Sequence, residues 1–358
     1  MNIVKMRHYF PVFIYIPLCL IFGCLGPRSA PIVPPQIITS TTSDIPKPRL
    51  LGVNYLYCIG DADTGAPRYN RDKLRHLENR GDKFFNQPLG IASDISGNIY
   101  VADVGHHCIY LLDAEGNIVT IFGKFGWRTG EFDSPTDVAV SFVGDEFLYV
   151  VDTGNDRIQA CSLTNRIFAV VAGEKSGDAT GFSRQTAIQL DAPGGIATDR
   201  NGNIYIADTG NHRMLKLNPQ GRLLTAKGTY GRTQERFREP SDVAVDSRGN
   251  IYVVDAGNHR IQKFDFSGNF IEIWGEHGDQ PGQFSEPRYI AIDRWDNICV
   301  VDQGNRRIQM FDTHGEFLTQ FTHPGFIAPT GIAIDANDKI YVTDISAGDI
   351  KVFHSVYR

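Results

Sequence analysis

Beyond its first 24 residues the protein has only four cysteines, Cys58, Cys108, Cys161 and Cys299, at unrelated positions and with no CxxC spacing. That scarcity excludes a disulfide framework and a zinc knuckle, and it leaves the four thiols to act as small buried hydrophobes. Two catalytic signatures are missing as well. Neither GxSxG nor HExxH occurs, so there is no nucleophile elbow and no zincin helix. Basic charge is also in short supply. Residues 1–49 hold five Lys/Arg and one Asp out of totals of 35 and 41, which leaves about 30 basic against about 40 acidic groups in the rest. An acidic body disfavours a general nucleic-acid surface, because neutralising phosphates needs a basic footprint. Arg232, Arg236 and Arg238 make one local basic stretch, read as a solvated loop.

The long apolar run lies at the start. Lys5, Arg7 and His8 precede an almost wholly apolar Tyr9–Phe22, too short for a comfortable membrane span. Residues 1–23 therefore read as a targeting segment. Ile21-Phe22-Gly23-Cys24 resembles a bacterial lipobox, with Phe22 departing from the usual small residue. The resemblance implies lipidation of Cys24 and an exported, envelope-anchored protein. Residues 24–49 hold six prolines and a Thr/Ser run with little to bury, the composition of a disordered tether. One large domain is expected from residue 50 to residue 358.

A repeat fills that domain. Pro240 to Gly275 reads as four short strands separated by turns at Ser247-Arg248-Gly249-Asn250, Asp255-Ala256-Gly257-Asn258 and Ser267-Gly268-Asn269. Copies open at Pro88, Pro135, Pro193, Pro240, Pro287 and Pro329, at intervals of 47, 58, 47, 47 and 42 residues. A four-stranded sheet cannot bury both faces alone, and stacking copies about an axis supplies the missing partner. The expected fold is all-β, a six-bladed β-propeller. The last copy lacks its fourth strand, whereas Leu51–Gly60 matches the terminal strand of the others. The N-terminal strand is therefore expected to complete the last blade and close the ring, pairing edges that would otherwise be exposed. In two recurring connecting loops, Phe132 before Pro135 and Phe284 before Pro287 are expected to plug between sheets.

The most repeated polar signature is Asp-x-Gly-Asn-x-Arg, at Asp152–Arg157, Asp208–Arg213, Asp255–Arg260 and Asp302–Arg307. An Asp that caps the hairpin and an Arg that returns a charge-assisted bond explain it as fold grammar rather than as a ring of catalytic carboxylates. Together with P-x-x-[IV]-A and GNIYV-x-D, it closely resembles the NHL repeat family over residues 51–358. That resemblance implies ligand binding at one mouth of the central channel. One enzyme of similar blade number, peptidyl-α-hydroxyglycine α-amidating lyase, places zinc-binding histidines after the blade-opening proline. Here those positions are Leu89, Thr136, Gly194, Ser241, Arg288 and Thr330, none of which replaces imidazole.

Asp137, Asp242, Arg288 and Tyr289 lie just after opening prolines and are the expected ligand-contacting group. His107, His212 and His259 occupy equivalent turn positions and are expected to be exposed turn residues. Two blades break the grammar. Asp103 and Asp344 lose their arginines, which would leave two unpaired carboxylates, with His106 and His107 nearby, across the closure. That sector is a second candidate site, for a cation or a basic ligand. A rigid scaffold, an export leader, a tether and no nucleophile–base pair point to a monomeric recognition module for a protein, peptide or glycan. No cofactor is implied. A divalent cation at the mouth belongs to the alternative, a metal-dependent lyase or hydrolase. RNA binding conflicts with the acidic balance and with export.

Overall fold

Six four-stranded antiparallel sheets stand around one axis. The computed structural model describes residues 47–60, 84–141, 146–173 and 188–358. The leader, Cys24, nearly all of the tether and most of the two long connectors after Gly60 and Gly173 lie outside them. The fourth blade shows how the sequence makes a sheet. Its strands are Pro240–Val245, Ile251–Asp255, Arg260–Phe264 and Phe270–Trp274, each within a residue or two of the sequence expectation. Asp246 makes the first turn by accepting the backbone N–H groups of Arg248 and Asn250 at 2.9 and 2.8 Å, and Gly249 supplies the positive φ of 85°.

The first strand of every blade, Pro88–Ser93, Pro135–Ser141, Gly195–Thr198, Pro240–Val245, Pro287–Ile292 and Pro329–Ile334, touches its counterparts in both neighbouring blades. These six strands therefore line the axis. Second strands such as Ile251–Asp255 are buried on both faces. That explains why IYVVD is a continuous apolar run and not an alternating one: each sheet is sandwiched between two others. The core is correspondingly divided into six layers, one between each pair of adjacent blades.

The ring is closed by the N-terminal strand. Leu50–Ile59 pairs antiparallel with Asp349–Tyr357, with Tyr57 opposite Val352 and Ile59 opposite Ile350. Reciprocal backbone bonds between Arg49 and Arg358, 3.1 and 3.0 Å, extend it. Phe85, Phe132, Phe237, Phe284 and Phe326, each three residues before an opening proline, are buried, and Leu190 takes the place in the third blade. A Cβ added at Gly123 would lie 2.3 Å from the Phe132 ring, so the loop glycine is what lets the wedge sit against the backbone.

Candidate functional site

The face carrying the site is set by strand register. Pro240 pairs with Asp255, so the blade-opening proline and the Asp that ends the second strand lie at the same end of the sheet. Each such Asp accepts a backbone N–H from two residues before the proline: Asp133 to Asp152 at 2.7 Å, Asp191 to Asp208 at 2.9 Å, Arg238 to Asp255 at 2.8 Å and Ser285 to Asp302 at 2.7 Å. Its arginine completes a clamp. Arg157, Arg213, Arg260 and Arg307 donate through Nε to Asp152, Asp208, Asp255 and Asp302 at 2.7, 2.7, 2.6 and 2.7 Å. The guanidinium of Arg157 then reaches the carbonyls of Trp127, Arg128 and Glu131 at 2.7 to 2.9 Å. The repeated signature thus locks each hairpin to the loop that enters its blade, with carboxylates that are fully buried and already bonded.

The histidines of the turns are part of the same wiring. His107, His212 and His259 hold left-handed backbone, φ 53°, 54° and 56°, a conformation that His tolerates better than most non-glycine residues. Their Nδ1 atoms accept the N–H of Ser134, Glu239 and Glu286 at 3.0, 3.2 and 3.3 Å, each from the next blade's entry. They join neighbouring blades instead of converging on a metal.

The sector at the closure differs from expectation. Asp103 and Asp344 are fully buried and neither is unpaired. Asp103 accepts the N–H of Asn86 at 2.8 Å and of His106 at 2.9 Å, and His106 Nδ1 lies 3.1 Å from its carboxylate and 3.0 Å from the Tyr110 hydroxyl. His106 has taken over the missing arginine's part. Asp344 is satisfied by the backbone N–H groups of Ile327, Ala328, Ser346 and Ala347 at 2.7, 3.0, 3.1 and 2.9 Å. His107 turns to Ser134 and to the ring of Phe125, 4.8 Å away. A tight turn rich in N–H donors replaces a guanidinium, and two open carboxylates do not arise.

At the axis the four remaining candidates separate into two kinds. Asp137, Asp242 and Tyr289, 4%, 4% and 7% exposed, are buried together, and Arg288 is exposed above them. Asp137 accepts the N–H of Ile196 at 2.8 Å, and Asp242 that of Ile290 at 2.9 Å, each from the following blade. The Tyr289 hydroxyl donates to the Thr136 carbonyl at 2.8 Å, spanning the axis from blade five to blade two. Room for these side chains comes from glycine at the same repeat position elsewhere. A Cβ on Gly90 would lie 2.1 Å from Asp137 Oδ1, and one on Gly195 2.1 Å from Asp242 Oδ1. Burial pushes the Asp137 carboxyl up to about 8. Burial, and then the neighbouring Asp137 charge, hold the Asp242 carboxyl far above the ordinary carboxylate range. Burial and the same two acids raise the Tyr289 phenol. Two like charges in one buried site favour the protonated form of at least one of them.

Sequence reasoning missed a set of exposed aromatic side chains on this face. Phe125, Trp127 and Tyr230 are 60%, 71% and 63% exposed, and Ile327 is 55% exposed. Phe125, Trp127 and Tyr230 sit on inter-blade loops held by the arginine clamps, Ile327 sits on the loop that Asp344 holds, and Tyr230 packs 5.1 Å from His212 as Phe125 does on His107. The signal was present as an aromatic after the Gly-Lys and Gly-Thr of these loops, Gly123-Lys124-Phe125 and Gly228-Thr229-Tyr230. Nothing in composition separates it from the buried wedge phenylalanine seven residues on.

Among known proteins, the NHL repeat family model matches residues 85–109, 190–217 and 237–264, each running from a wedge residue to a third strand. Over 212 residues, 49% of this chain, the sequence is 24% identical to Protein SUPPRESSOR OF QUENCHING 1, chloroplastic, from Arabidopsis thaliana, and the match spans 20% of that protein's length. Among solved structures, virginiamycin B lyase from Staphylococcus aureus superposes with a TM-score of 0.53 at 15% identity, covering 76% of this chain and 96% of that one. One protein of a nidogen/laminin complex does so with a TM-score of 0.52 at 18% identity, covering 70% and 88%. Identities this low establish the shared fold alone.

Proposed function

Because this chain is an NHL-repeat six-bladed β-propeller, we propose that it is a recognition module, binding a protein, peptide or glycan on the face that carries the axial mouth. The observation that supports this is the set Phe125, Trp127 and Tyr230, large aromatic side chains standing in solvent on loops that buried arginine–carboxylate clamps immobilise. Rigid exposed aromatics give contact area at low entropic cost and dominate binding energy at interfaces. The buried carboxylates and Tyr289 are the floor of the mouth, and Arg288 is the polar group that a ligand meets there. Export and a lipid anchor at Cys24 belong to the same proposal and rest on the leader sequence. The test compares material retained from envelope extract by the wild-type protein and by the Trp127→Ala/Tyr230→Ala double variant, with matched circular dichroism. Loss of the retained species in the double variant is expected, and identical retention overturns the reading. Cys24→Ser is expected to release the protein from the membrane fraction and to abolish metabolic lipid labelling.

A further inference from the structure

Among the described residues around the axial mouth, Arg288 is the one whose hydrogen-bonding capacity is only partly used. Thr136 donates to the Gly194 carbonyl at 2.9 Å, Ser241 to the Arg288 carbonyl at 2.6 Å, Thr330 to the Ala328 carbonyl at 3.0 Å and Thr343 to the Leu89 carbonyl at 2.6 Å. Three of these bonds, from Thr136, Ser241 and Thr343, link successive blades, and the Thr330 bond stays within its own blade. Arg288 differs. Its Nε donates to Gln303 Oε1 at 3.2 Å, and Gln303 Nε2 donates in turn to the Pro329 carbonyl at 3.2 Å. Among the described residues no group meets its two terminal nitrogens, and no carboxylate lies within ion-pair distance. The clamp arginines Arg157 and Arg307, by contrast, use all three nitrogens.

We propose that Arg288 is a receptor for a single carboxylate of a polypeptide ligand, which it engages end-on through its two terminal nitrogens at the axial mouth. This inference rests on the recognition reading and names the ligand chemistry. A guanidinium fork matches a planar carboxylate bidentately. The bond to Gln303 restrains the Nε end of the fork beforehand, so part of the side-chain entropy is already lost before binding. A dianion such as phosphate is selected against by composition. Among the described residues placed at the mouth Arg288 is the one cation, and the floor beneath it is Asp137, Asp242 and Tyr289, two acids and a phenol that supply no further positive charge. The carboxylate has two sources, a polypeptide's C-terminal end or an Asp/Glu side group, and the probes tell them apart.

Three peptides are titrated into the purified protein while the Arg288 Nε–H resonance is followed by NMR: acetyl-Phe-Gly-Gly with a free carboxylate, its C-terminal amide, and acetyl-Phe-Asp-Gly-amide. Inorganic phosphate is a fourth arm. At least one carboxylate peptide is expected to bind ten times more tightly than the neutral amide and more tightly than phosphate. Whichever carboxylate peptide wins identifies the source. Arg288→Gln is expected to weaken that peptide about ten- to a hundredfold. Arg288→Lys, which keeps the charge but loses the fork, is expected to weaken it about tenfold. Equal binding of the amide, binding of none of the three peptides, stronger binding of phosphate, or unchanged affinity in Arg288→Gln overturns the proposal. If Arg288→Gln retains the same envelope species as the wild type and Trp127→Ala/Tyr230→Ala does not, the carboxylate receptor falls and the recognition reading stands.

Discussion

Two carboxylates buried side by side on an axis are costly unless at least one is neutral. Asp137 has an ordinary value of 3.8 that burial raises to about 8. A group whose folded-state value is raised contributes stability that is full below its unfolded value and is lost as pH rises toward the folded one. Between about pH 4 and pH 8 the Asp137 contribution should therefore decline with increasing pH. Asp137→Asn resembles the neutral acid and can still accept from the Ile196 N–H. Its denaturant midpoint should equal or exceed that of the wild type at pH 8, and its advantage should vanish by pH 4. A constant difference across that range would remove the account of a neutral acid on the axis. The clamps are the opposite case, buried pairs with complementary charge. Arg307 and Asp302 side chains are 9% and 0% exposed and 2.7 Å apart. Removing one partner leaves a buried charge alone, so Arg307→Ala should lower unfolding free energy by about 3 kcal/mol, read by denaturant titration.

At the scale of the element, the wedge and its glycine act as a unit. Phe132 fills the space between blades one and two, and Gly123 at φ 81° lets its ring approach. Gly123→Ala adds both strain and a clash and should cost more than about 1 kcal/mol. Gly52→Ala meets nothing within 4 Å and should leave thermal stability nearly unchanged. Phe132→Ala should cost about 3–5 kcal/mol. Much of this level was legible in the sequence. The turn residues, the Asp–Arg pairs and the β-branched second strands each encode a local rule, so strand ends fell within a residue or two. What stayed hidden depends on neighbours in space. Arg288 and Tyr289 are adjacent in sequence, yet one faces solvent and the other the axis, as alternation along a strand requires. Room on the axis for the larger side group is made by glycines at the same repeat position of other blades. The replacement of an arginine by His106 was equally invisible, because Nδ1 reaches Asp103 only through a particular turn.

At the scale of the molecule the ring is a closed set of six similar interfaces, and the last is made by the strand farthest away in sequence. The axial cluster needs that closure, since Asp137, Asp242 and Tyr289 come from blades two, four and five and the Tyr289–Thr136 bond spans them. Deleting residues 1–60 should expose the outer edge of Asp349–Tyr357, remove Ile59 from the layer between the sixth and first blades, and lower the midpoint of unfolding while broadening it. Termini that met only loosely would leave the midpoint unchanged.

The most direct test of closure is hydrogen exchange followed by mass spectrometry on the full-length protein, read for peptides covering residues 50–59 and 349–357. Both should be protected to a similar degree, and protection of 349–357 should fall when residues 1–60 are deleted. Rapid, complete exchange of residues 50–59 in the intact protein would contradict the closed ring and the axial site built on it.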